Sequence, residues 1–125
     1  MKLRIARHTS NLKKIKTFYE TVLGFKELGS FKNHNGYDGI FLGFHDENWH
    51  MEFTISDELP NRKTDEDDLL VFYLDSDDKY NRIIANIKTN NTPITKSKNP
   101  YWNENGITIL DPDGFRIIIS KQFQK

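Results

Sequence analysis

The segment HMEFTIS, His50 through Ser56, puts an imidazole and a carboxylate two residues apart. Alternate side chains of an extended chain share a face, so His50 and Glu52 emerge side by side if this run is a strand. Such a pair suits ligation of a divalent cation or the movement of a proton. A histidine on a strand face is also a common packing residue, and the spacing alone selects none of these. Tyr101 and Trp102 form a second candidate group. They follow Asn99-Pro100, where the residue before proline favours an extended or turned backbone. Large aromatics on such a segment can line a ligand site, seal a dimer interface or fill a core. His34 lies in the turn-like HNGYDG and His45 in the polar FHDEN, so both read as solvated loop residues. The absence of cysteine excludes disulfides, thiol nucleophiles and thiolate metal sites.

These residues must be positioned by a small framework. A length of 125 residues allows one compact domain and is short for two. Aromatic residues at 13% argue for a packed core, since disordered chains rarely carry so many. Lys+Arg and Asp+Glu balance at 18 each, so no net field draws the chain to nucleic acid or anionic lipid. The start MKLRIARHT has no apolar leader region, and no stretch reaches the length of a membrane span. A soluble cytoplasmic protein is expected.

The hydrophobic periodicity divides the chain into two similar halves. KLRIARH is extended, and after Asn11 apolar residues fall on one helical stripe at Leu12, Ile15, Phe18, Tyr19, Val22 and Leu23. Asn11 is the N-cap and Gly24 the stop. FKELGSF then leads through Asn35-Gly36, a hairpin signal, into IFLGF, and HMEFTIS follows. This half reads βαβββ. In the second half DLLVFYL is a strand, and Ser76 caps a helix carrying Tyr80, Ile83, Ile84 and Ile87 that ends at Asn90-Asn91. TPITKS, GITIL and FRIIIS complete another βαβββ, with a DPDG turn before the last strand. A shift of 65 residues lays Asn11 on Ser76 and Arg4 on Leu69. The repeat is one of pattern without obvious identity. Module one spans about 1–57 and module two about 68–125, joined by the charged, proline-containing linker of residues 58–67.

Paired βαβββ modules with FYETVLGF closing the first helix, Phe18 through Phe25, and DPDG before the last strand resemble the vicinal oxygen chelate superfamily. The glyoxalases, bleomycin-resistance proteins and extradiol dioxygenases belong to it. A closer resemblance, to an uncharacterised bacterial branch, is carried by RIAR (Arg4–Arg7), the GSF…HNGYDG hairpin (Gly29–Gly39), HMEFT (His50–Thr54) and NPYW (Asn99–Trp102). It covers essentially the whole chain. The resemblance implies an α+β fold: two βαβββ modules form a rolled mixed sheet around a cleft, with helices on the outer face.

Metalloenzymes of this superfamily hold their ion with ligands from the first and last strands of each module. The corresponding positions here are Arg4, Glu52, Leu69 and Ile118. Of these only Glu52 can ligate a cation, because arginine cannot be deprotonated in a protein and the other two have no lone pair. The resemblance therefore implies no metal in the usual place, and no other cofactor is expected. Strand alternation from those positions gives Ala6, His8, His50, Thr54, Val71, Tyr73, Arg116 and Ser120 on the cleft side. The opposite positions, Leu3, Ile5, Met51, Phe53, Leu70, Phe72, Leu74, Ile117 and Ile119, suit packing under helices. Arg7 fits that apolar set badly, so a bulge near His8 is one reading and the orientation of His8 stays open.

Arg4, His50, Glu52, Tyr73, Tyr101, Trp102 and Arg116 are thus the candidate ligand-binding residues. For Arg4 and Glu52 two readings stand, a salt bridge that replaces the metal or a pair that holds an anionic or carbonyl group of a substrate. Three functions compete. The first is a metal-independent protein that binds a small polar or aromatic molecule, as bleomycin-resistance proteins do. The second is an enzyme, either metal-free or a metal-dependent lyase, isomerase or dioxygenase using displaced ligands His50, Glu52 and His8. The third is a structural or interaction role with a vestigial cleft. The first is favoured, with catalysis left open. A homodimer is also expected, since open clefts in this superfamily are often completed by a second subunit and a small domain gains core by pairing.

Overall fold

The computed structural model describes residues 1–121. Its elements are β1 (Leu3–His8), α1 (Leu12–Thr21), β2 (Lys26–His34), β3 (Tyr37–Gly43), β4 (Trp49–Ile55), β5 (Leu69–Leu74), α2 (Asp77–Thr89), β6 (Ile94–Thr95), α3 (Pro100–Asn105), β7 (Gly106–Leu110) and β8 (Arg116–Lys121). The chain divides into two units, Met1–Arg62 and Lys63–Lys125. Each contains a four-stranded mixed sheet with the same topology, β1-β4-β3-β2 in the first and β5-β8-β7-β6 in the second.

Local chemistry explains the first unit. The Asn11 side chain accepts from the Lys14 N–H at 3.0 Å, which satisfies one of the free donors at the start of α1. Beyond the helix Gly24 adopts φ +75, a conformation that costs glycine little, and the Phe25 N–H then donates to the Tyr19 carbonyl. Asn35 and Gly36 both take positive φ in the two-residue link between β2 and β3, as a tight hairpin requires. One long connection remains. β1 and β4 pair in parallel, so everything between them forms the crossover.

Tyr19 is wholly buried against Phe53, with ring centroids 5.0 Å apart, so α1 covers the face of the sheet to which Phe53 belongs. Ile15, Val22, Ile40, Leu42 and Met51 complete that core. Each fully buried side chain of this size contributes about 1.5–3 kcal/mol relative to exposure. The opposite face carries Arg4, His50 and Glu52. Leu3, assigned by pattern to the packed side, is instead 55% exposed, because it lies at the outer end of an edge strand.

The second unit repeats the logic with different side chains. Ser76 caps α2 through a bond from the Lys79 N–H, and Ile83 and Ile87 are buried. Lys121 contacts the Tyr80 ring and Asp77 of that helix, which places α2 on the face shared by Lys121, Ile119 and Ile117. The segment after Asn99 departs from the sequence reading. Asn99 itself is extended, as expected before proline, but it caps a six-residue helix whose first position is Pro100. Proline lacks the N–H that the first helical turn would leave unpaired, so the same dipeptide that ends one conformation starts another. Correspondingly, the strand read from TPITKS shrinks to Ile94–Thr95.

Candidate functional site

The register of the first sheet puts Arg4 opposite His50, Ala6 opposite Glu52 and His8 opposite Thr54, without interruption. No bulge occurs in β1. The irregularities fall in β2 instead, between Glu27 and Gly29 and between Phe31 and His34. His8 therefore shares the face of Arg4, Ala6, His50, Glu52 and Thr54, and Arg7 points to the helical side. β3 pairs antiparallel with β4 and brings Phe41 opposite Glu52 and Gly43 opposite His50.

On this face Arg4 Nε donates to His50 Nε2 at 2.9 Å. The guanidinium carbon lies 4.7 Å from the centre of the Phe41 ring, a cation–π contact. Phe41 also meets His50 edge to face, with centroids 5.8 Å apart. A phenyl ring and an imidazole thus fix the arginine plane. Its Nη1 stands 3.9 Å from Glu52 Oε1, attractive by charge but beyond hydrogen-bond reach. The Arg4 side chain is half exposed and the Glu52 side chain mostly buried. His50 is buried, and the loss of water, then the positive charges of Arg4 and Lys2, lower its pKa below the ordinary 6.5, while Glu52 acts in the opposite direction. Neutral imidazole is the form favoured beside a guanidinium.

His8 occupies the other end of the strip. Its Nε2 faces the Glu58 carbonyl at 2.8 Å and must donate there, while Nδ1 pairs with the Thr54 hydroxyl at 2.8 Å. Ser56 Oγ approaches the same Nε2 at 3.2 Å. The donor set does not fit the superfamily's metal. Arg4 is a cation, Leu69 is aliphatic, and Ile118 is aliphatic and fully buried. The displaced set of His8, His50 and Glu52 fits no better: both His8 ring nitrogens are engaged, and the ladder sets His8 opposite Thr54, four residues along the strand from His50. Among the described residues no three His, Asp or Glu side chains cluster closely enough to hold an ion.

The remaining candidates lie in the second unit. Tyr73 and Trp102 have ring centroids 6.4 Å apart, and Tyr101 meets Trp102 edge to face at 4.8 Å. Tyr73 and Tyr101 are exposed. Arg116 pairs with Glu66 of the linker at 3.3 Å. Ile118 pairs in register with Val71 and Thr108 and packs so tightly on Gly106 that a Cβ there would lie 2.8 Å from its Cγ2. It is a core residue. The structure therefore sorts the seven candidates by unit: Arg4, His50 and Glu52 lie on the first sheet, Tyr73 and Arg116 on the second, and Tyr101 and Trp102 on α3. Phe41 was missed, although its alternation with Gly39 and Gly43 places it on one face with them.

Comparison with known proteins agrees with this architecture. Models of the YycE-like N-terminal and C-terminal domains match residues 3–54 and 67–121. The uncharacterised protein YycE of Bacillus subtilis (strain 168) is 40% identical over 117 residues, covering 93% of this chain and 84% of that protein. A crystal structure of a YycE protein of unknown function from Bacillus subtilis, described with glyoxalase and fosfomycin-resistance proteins, superposes with a TM-score of 0.85 at 39% identity. That match covers 97% of this chain and 89% of the other. The trypanothione-dependent glyoxalase I of Leishmania major shares the fold at a TM-score of 0.77 and 19% identity, covering 99% and 88% of the two chains.

Proposed function

Because the chain belongs to the YycE-like family and has the fold of the glyoxalase and fosfomycin-resistance (vicinal oxygen chelate) proteins, we propose that it binds a small polar molecule without the superfamily's metal centre. The observation that carries this reading is the state of Arg4. One N–H is committed to His50, the plane is fixed by Phe41, and the terminal nitrogens of this half-exposed side chain make no hydrogen bond among the described residues, Nη1 standing 3.9 Å from Glu52. The pair is too far apart for a hydrogen bond and the arginine is half exposed, which leaves its planar donors able to meet a ligand's oxygens.

The test is a thermal-shift screen of small acids, amides and aromatic metabolites on the intact protein, repeated on Arg4→Met and Glu52→Gln. Hits whose stabilisation disappears in both variants support the site. A screen whose hits are indifferent to both substitutions removes it. The proposal includes a homodimer, which light scattering would contradict by returning the single-chain mass of 14.7 kDa.

A further inference from the structure

We propose that the ligand of the Arg4 face is dipolar, with an anionic oxygen group for Arg4 and an adjacent cationic N–H donor for Glu52, the chemistry of a free α-amino acid. This names the ligand class of the small-molecule site and rests on that reading. The argument is one of charge and hydrogen-bond capacity. Arg4 carries one positive charge, Glu52 one negative charge and the acceptor His50 none, so these three side chains balance and are polarised along the Arg4–Glu52 direction, with the positive charge of Lys2 near enough to act on His50. The 3.9 Å between Nη1 and Oε1 leaves both groups unsatisfied by each other.

A plain carboxylate gains from Arg4 and is repelled by Glu52 at nearly the same distance. A plain ammonium meets the reverse. A molecule with both groups gains from each and restores the hydrogen bonds that neither residue makes with the other, donors to a carboxylate and an acceptor for an ammonium. Nothing has to break first, since the Arg4–His50 bond uses Nε and leaves Nη1 and Nη2 for the ligand. The strip beside the charges is open as well. Ala6, the only residue of β1 on this face between Arg4 and His8, is exposed and small. It leaves space for the ligand's side chain over β1.

The experiment titrates the intact protein with the free α-amino acids at millimolar concentration, following the Arg4 Nε–H and the His50 ring by NMR. For the best binder its N-acetyl derivative, which lacks the cation, and its amide, which lacks the anion, are titrated next. The free amino acid should bind at least about tenfold more tightly than either derivative, and Arg4→Met and Glu52→Gln should each abolish saturable binding. The derivative comparison is made on the unaltered chain, so it holds even if a variant folds poorly. An N-acetyl derivative or amide that binds as well as the parent overturns the dipolar assignment, as does the absence of any response to amino acids. If other small molecules still bind in an Arg4- and Glu52-dependent way, only the ligand class falls. If none does, the small-molecule reading falls with it.

Discussion

Arg4 and His50 share a 2.9 Å hydrogen bond whose direction is fixed by chemistry: the guanidinium Nε only donates, so the imidazole Nε2 only accepts. His50 is consequently neutral in this arrangement, with its proton on Nδ1. Protonation would set two donors against each other inside a buried contact.

His50 should therefore titrate below 6.5 in the folded protein, because burial and the charges of Arg4 and Lys2 outweigh Glu52. The folded state then binds this proton less readily than the unfolded state, so stability rises with pH within the window. The contribution is fully present above 6.5 and declines as pH falls from there through the depressed folded value. NMR of the ring would show the Nδ1–H tautomer at neutral pH and a midpoint under 6.5. A midpoint at or above 6.5 contradicts the acceptor role, and His50→Phe should flatten this part of the stability profile.

Two double-mutant cycles separate the neighbours of Arg4. The Arg4–Glu52 pair, at 3.9 Å with the arginine half exposed, should couple by less than about 1 kcal/mol. The Arg4–His50 pair, a direct bond to a buried ring, should couple more strongly, by about 1–2 kcal/mol. Denaturant unfolding of Arg4→Met, Glu52→Gln, His50→Phe and the two doubles measures both. Coupling of about 3 kcal/mol between Arg4 and Glu52 would identify a buried structural ion pair instead.

Gly106→Ala should destabilise by roughly 2–3 kcal/mol, since the new Cβ would stand 2.7 Å from the Ile119 carbonyl oxygen and 2.8 Å from Ile118 Cγ2. Backbone and a buried neighbour cannot yield easily. Gly39→Ala also collides, but with the rim of the Phe31 ring, a half-buried side chain that can turn away. Its cost should be smaller, and its trace should be a shifted Phe31 resonance. Equal unfolding free energies for the two variants would refute this ordering.

Asn103→Ala should loosen α3. The Asn103 amide accepts from the Ser97 N–H at 2.8 Å and donates to the Ser97 carbonyl at 3.0 Å, closing the short helix onto a buried residue. Losing both bonds should cost about 1–3 kcal/mol. Trp102 should report the change through its fluorescence, because its contact with Tyr73 on β5 depends on the placement of α3. An unaltered Trp102 spectrum would show that the helix is held by something else.

The capped helices and the Asn35-Gly36 hairpin were legible in the sequence because each rests on local signals within a few residues. α3 was not, since six residues give no helical period, and Asn99-Pro100 suits a turn as well as an N-cap followed by proline. Within the site, alternation put Arg4, His50 and Glu52 on one face, but it could not choose partners. Arg4 was matched to Glu52 by analogy with a metal pair, whereas the parallel register of β1 and β4 sets it directly opposite His50. Register between strands 46 residues apart is a property of the assembled sheet. The open orientation of His8 had the same origin, and the unbroken β1–β4 ladder closes it.

That parallel ladder also dates the site within the folding of its unit. Arg4 lies near the start of the unit and His50 and Glu52 in the last strand, so the charged face exists only after the whole crossover has closed. Closing such a span is entropically costly and slow compared with forming the β2–β3 hairpin inside it. A chain ending before β4 would hold Arg4 on an unpaired strand and recognise nothing. A bound molecule bridging Arg4 and Glu52 would act as a clasp across the longest loop of the unit, and its signature would be slower unfolding with an unchanged folding rate.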